Sequence, residues 1–137
     1  MTRCNSGLTW IVKSCLESFL GPEHMDSIHA IIANEAMVDE EDRWHITWVD
    51  HTPFGHDKAL TISSYMQKLG HGGAPPKTYY LGDGISDISA GKTCDVLFAK
   101  ADKDLATWCK REKQPCHLWS TFADIHDVMR PVLMKDA

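Results

Sequence analysis

Tyr79-Tyr80-Leu81-Gly82-Asp83-Gly84-Ile85-Ser86-Asp87 decides the reading of this chain. An apolar run ends in a glycine-rich acidic loop, and a second apolar run, Asp95-Val96-Leu97-Phe98-Ala99-Lys100, follows a short polar stretch. The pair predicts two buried strands joined by a loop and a short helix. Asp83 then stands at the carboxyl end of a strand, the edge where ligands bind in open α/β sheets. Glycine on both sides of Asp83 predicts a sharp turn and room for a ligand. Asp87, near the start of the short helix, predicts a second carboxylate aimed at the same spot. Two converging carboxylates repel unless a cation lies between them. Mg²⁺ suits the place, because it takes oxygen ligands and keeps several waters.

Outward from this loop, strands and helices alternate. A strand over Val96 to Ala99 leads to a helix from about Lys103 to Glu112, with Asp102 as its expected cap. A short strand near Cys116 to Trp119 follows, then a helix from Phe122 to Met129, capped by Thr121 and ended by Pro131. Upstream, Leu8, Ile11, Val12, Cys15, Leu16, Phe19 and Leu20 recur at helical spacing, and Gly21-Pro22 stops that helix. His29 to Val38 reads as a strand. Arg43 to Val49 alternates, with Trp44, Ile46 and Trp48 on one face, so Asp39-Glu40-Glu41-Asp42 reads as the solvated tip of a β-hairpin. A helix from about Asp57 to Leu69 turns Ala59, Ile62, Met66 and Leu69 inward, and Gly70 to Pro76 connects it to the strand ending at Leu81. The order predicts an α/β fold, a Rossmann-like and mostly parallel sheet flanked by helices, in one domain over 1–137.

Composition narrows the function. The 43% hydrophobic and 24% charged fractions are those of a globular protein. A net charge of −5 argues against a nucleic-acid partner held by phosphate neutralisation, but leaves room for a small phosphorylated molecule met by a few local cations. No apolar stretch approaches the roughly 20 residues that cross a bilayer, and the amino end has no basic-then-apolar leader. The five cysteines form no C-x-x-C pair, which fits reduced core thiols in the cytoplasm. His51 and His56 lie in a Pro/Gly loop without zincin spacing.

Two further sites bear on chemistry. Lys58 falls in the first turn of its helix, where a cation opposes the macrodipole. By spacing alone it reads as a solvated lysine, yet the placement makes more sense beside a bound anion. Asn5-Ser6-Gly7 precedes the first helix and reads either as an ordinary cap or as a small anion pocket.

A polar-Gly turn, a distant lysine in Gly55-His56-Asp57-Lys58, and Gly-Asp-Gly-x-Ser-Asp after a strand together resemble the haloacid-dehalogenase-like superfamily, in its phosphoserine-phosphatase-like branch. The likeness runs from about Asn5 to about Asp127. It implies a Mg²⁺-dependent phosphomonoester hydrolase of a small metabolite. Asp83 and Asp87 would hold the metal, with Asp87 also able to orient Lys58. Lys58 would neutralise the nucleophile–phosphate pair. Ser86, Asn5, Ser6 and the Gly7 amide would contact the phosphoryl group. Asn5 stands where the family carries Ser or Thr. No Asp-x-Asp precedes it, so the family's covalent nucleophile, its general acid, the central strand bearing both and the helical cap are absent. The resemblance therefore implies a core whose catalysis is impaired, with a hairpin insert. The alternatives are a carboxyl-terminal piece of a longer protein, or a truncated, non-catalytic relative that binds ligand, dimerises or pairs with another chain.

Overall fold

The computed structural model describes residues 2–53, 55–69 and 76–134, with backbone alone for 2–6. It forms two compact units, 1–61 and 62–137. Both are α/β.

In the first unit, β1 (Thr2–Leu8) runs parallel to β2 (Ala30–Val38), and β2 turns back antiparallel to β3 (Trp44–Thr47), giving the order β1-β2-β3. Helix α1 (Thr9–Leu20) is the crossover between the parallel pair, and it packs on β2. Its first residue ties the two together: the Thr9 hydroxyl donates to the carbonyls of Ala33 and Asn34, at 3.2 and 3.3 Å. Gly21-Pro22 ends α1 as expected, and a 3-10 turn over Pro22–Ser27 follows.

The second unit holds the order β4-β5-β6, all parallel, from β4 (Tyr79–Gly82), β5 (Val96–Lys100) and β6 (His117–Trp119). Helices α3 (Ile88–Thr93), α4 (Asp104–Glu112) and α5 (Phe122–Leu133) flank this sheet; α2 (Lys58–Leu69) begins in the first unit and ends in the second. The core is built on β5, where Leu97, Phe98 and Ala99 are buried. Leu97 and Ala99 pack with Leu105 and Cys109 of α4. Central placement between two strands explains why β5 is an unbroken apolar run. β4 lies at the end of the order, and its Leu81 is exposed.

Several local expectations need correction. Asn5-Ser6-Gly7 is not a turn before a helix. These residues lie within β1 where the register slips, since Cys4 pairs with Ile32 and Leu8 with Asn34, leaving β1 two residues longer than its partner there. The polar-Gly tripeptide is a bulge. Asp102 does not cap α4. It takes φ +58, and Lys103 is the capping residue. Thr121 does cap α5, but Pro131 lies inside that helix, in its last turns. Of the described cysteines only Cys109 is buried; Cys94 and Cys116 are half-buried and Cys15 is exposed. Leu69, expected inward, is also exposed. No helix among the described residues is long and apolar enough to cross a membrane.

Candidate functional site

The acidic loop sits where the sequence placed it, at the carboxyl end of β4. Its two aspartates differ in kind. Asp87 is buried, and a 3-10 turn over Ile85–Asp87 swings its carboxylate back over the strand end. One oxygen accepts the Asp83 and Gly84 amides at 2.9 and 3.0 Å, and the other accepts the Tyr80 hydroxyl at 2.7 Å. Gly82 makes room for this. A Cβ there would lie 2.7 Å from Cβ of Asp87 and 2.8 Å from its Oδ2. Gly84, by contrast, has φ −111, and a Cβ there would sit at ordinary contact distance, 3.9 Å from the Ser86 hydroxyl oxygen, so its backbone does not require glycine. Asp83 points outward, exposed, and among the described residues nothing hydrogen-bonds its carboxylate. Its backbone carbonyl accepts the Leu105 amide at 3.0 Å, fixing the loop to the start of α4. Ser86 is exposed on the same turn.

The second candidate segment is the loop from Trp48 to Lys58, in the first unit. Asp50 organises it. One oxygen of its carboxylate accepts both the amide (2.9 Å) and the hydroxyl of Thr52, and the other accepts the Asp57 amide. These bonds, the Thr52 hydroxyl first, hold Asp50 below the usual carboxylate range, so it is ionised at neutral pH. Asp57 then caps α2, its carboxylate accepting the Ala59 amide at 2.9 Å. Lys58 follows as the first residue of the helix. Buried His56 meets the Thr61 hydroxyl through Nε2 at 3.0 Å. Gly55 takes φ +68 with Trp48 directly against it; a Cβ at 55 would lie 2.5 Å from Cε3 of the indole.

The structure thus brings Asp83, Ser86 and Asp87 onto one turn of the second unit. It places Lys58 in the first unit, at the end of a loop set by Asp50. Asn5 and Ser6 have backbone in the β1 bulge, their side chains outside the description, with Gly7 beside them. Phe54 lies outside the described residues, as do 70–75. Sequence reasoning missed two organising groups. One is Asp50, although Asp50-His51-Thr52 is a recognisable Asx-turn signature. Tyr80 was read only as strand filler. No cluster of three His, Cys, Asp or Glu side chains able to hold a metal occurs among the described residues. One open carboxylate, Asp83, is what the acidic loop offers to a cation.

No protein-family model matches the chain. It is similar to the polyol phosphate phosphatase PYP1 of Saccharomyces cerevisiae, 44% identical over 133 residues, covering 94% of this chain and 55% of that protein. It is also similar to the Pdp3-interacting factor 1 of Schizosaccharomyces pombe, 41% identical over 122 residues, 89% of this chain and 52% of the other. The chain spans about half the length of the curated relatives it matches.

Proposed function

We propose that the chain carries the lysine and acidic-loop elements of a haloacid-dehalogenase-like phosphatase whose substrate is a phosphorylated polyol in the cytoplasm. The observation that carries this reading is the 44% identity to a polyol phosphate phosphatase across nearly the whole chain. The exposed Asp83 at a strand end supports it, as do the free thiols.

The donor set fits Mg²⁺, which binds through one or two carboxylates plus substrate oxygens and water. Asp83 would be the protein ligand; when bound, the ion would offset charge on the phosphoryl oxygens. Asp87 acts on this site through the loop, holding the amides of Asp83 and Gly84 and so aiming the Asp83 side chain. It serves as a positioning residue rather than a second ligand. Lys58 would supply the fixed positive charge that a phosphate dianion needs. Ser86, Asn5, Ser6 and the Gly7 amide remain the candidates for contacts to the phosphate.

Hydrolysis also needs a carboxylate nucleophile, and no Asp-x-Asp stands before Asn5. The chain alone should therefore release no phosphate from p-nitrophenyl phosphate. Joined to an upstream segment bearing Asp-x-Asp on a strand, it should do so with a Mg²⁺ requirement, and Asp83→Asn should abolish that release. Turnover that ignores both Mg²⁺ and Asp83 would refute the proposal. A second reading, a module that pairs with another chain, is favoured by β1 and β4 standing at the ends of their sheet orders.

A further inference from the structure

A cavity of about 430 Å³ opens on the loop that leads to Lys58, lined by Trp48, Asp50, His51, Thr52, Pro53 and Gly55. All six residues belong to the first unit, and the volume is of the size that holds a small organic ligand. What distinguishes the cavity is its hydrogen-bonding balance. The exposed His51 ring and the Trp48 indole N–H line it as donors, while others are already used within the loop. The Asp50 amide goes to the Gly55 carbonyl at 3.2 Å, and the Gly55 amide to the Thr52 carbonyl at 2.9 Å. The Thr52 amide and hydroxyl both go to the Asp50 carboxylate. The acceptors are not used up. The Asp50 oxygen that takes the Asp57 amide keeps a second lone pair, and the Thr52 oxygen, having given its proton away, keeps two. One wall is the Trp48 indole, 55% exposed and backed by the Gly55 backbone.

A phosphate dianion is a poor occupant: it brings no donors and meets an ionised carboxylate. A neutral chain of hydroxylated carbons is a good one, because it brings O–H donors for the acceptors and C–H faces for the indole. We propose that this cavity is a subsite for the polyhydroxylated, non-phosphate end of the ligand. The proposal rests on the phosphatase reading only for what lies at the ligand's other end. In this account Lys58 serves the phosphate and the six lining residues before it read the polyol, so one loop carries both functions.

The test is titration of the full chain, followed by the five tryptophan indole N–H signals, with Trp48→Phe to assign its own. The probes are sorbitol 6-phosphate, inorganic phosphate and sorbitol. The Trp48 signal should move saturably with both sorbitol compounds and stay still with phosphate. His51→Ala, an exposed site, should weaken sorbitol 6-phosphate about three- to tenfold, the value of one hydrogen bond, and leave phosphate binding unchanged. A Trp48 signal that follows phosphate as strongly as sorbitol 6-phosphate overturns the proposal. So does phosphate binding with no gain from the attached polyol, and that result leaves the phosphatase reading standing. Sorbitol moving Trp48 in a chain that binds no phosphate supports the subsite and removes the phosphatase reading instead. Silence of Trp48 to all three probes overturns it.

Discussion

Asp83 and Asp87 are four positions apart and have opposite fates, which mutations should separate. Asp87→Ala orphans the Tyr80 hydroxyl and two loop amides. At about 1–3 kcal/mol for each unsatisfied buried group, partly relieved by water, the expected loss is about 3 kcal/mol. Asp83→Asn removes no hydrogen bond and should change stability by less than about 0.5 kcal/mol. It should nonetheless abolish Mg²⁺ binding. Urea denaturation with and without Mg²⁺ checks both, and equal destabilisation by the two variants would refute the division of roles. Gly55→Ala, forced to φ +68 against the Trp48 ring, should cost about 1–3 kcal/mol in the same assay. The placement of Asp83 was legible, because an apolar run ending in Gly-Asp-Gly has few other readings. The direction of Asp87 was not. It depends on a 3-10 turn that folds the carboxylate back onto the Asp83 and Gly84 amides, and on the room that Gly82 leaves once that turn has formed.

The β-hairpin shows the same contrast one scale up. Its existence was plain from the alternation of Trp44, Ile46 and Trp48 around an acidic turn, but the turn is more than a solvated tip. The Asp39 carboxylate accepts the amides of Glu41 and Arg43, both at 2.9 Å, and meets Arg43 Nε at 2.9 Å and His45 Nε2 at 2.7 Å. The His45 contact first, then the Arg43 amide, lowers its pKa to about 2 from 3.8. A depressed carboxylate stabilises the fold at pH above its unfolded value and loses that effect as pH falls through the folded one. The turn should therefore hold down to about pH 4 and loosen between pH 4 and 2. Amide protection of Glu41 and Arg43 in that window reports it, and Asp39→Asn should remove the transition. A turn that opens near pH 6 would contradict this account. Other element ends were less legible for similar reasons. The Asn5-Ser6-Gly7 bulge depends on the register that β2 imposes, and Pro131 is carried within α5 although proline usually ends a helix.

At the scale of the molecule, the two sheet orders end on β1 and on β4. The relatives are nearly twice as long as the aligned region. An end strand exposes a row of unpaired backbone N–H and C=O groups and is a template for another strand. A segment that pairs there binds the folded state and not the unfolded one, so it raises the melting temperature by mass action. For a chain of this size, about 2 kcal/mol of such binding corresponds to a shift of about 5–10 °C. We expect the melting temperature to rise saturably as a strand-length peptide bearing Asp-x-Asp is added, and to stay constant as the chain itself is diluted. Self-pairing through the same edges gives the opposite pattern, a melting temperature that falls on dilution and ignores the peptide. A melting temperature indifferent to both peptide and dilution would mean that neither edge accepts a strand. Pairing and completed catalysis would then both lose their structural basis.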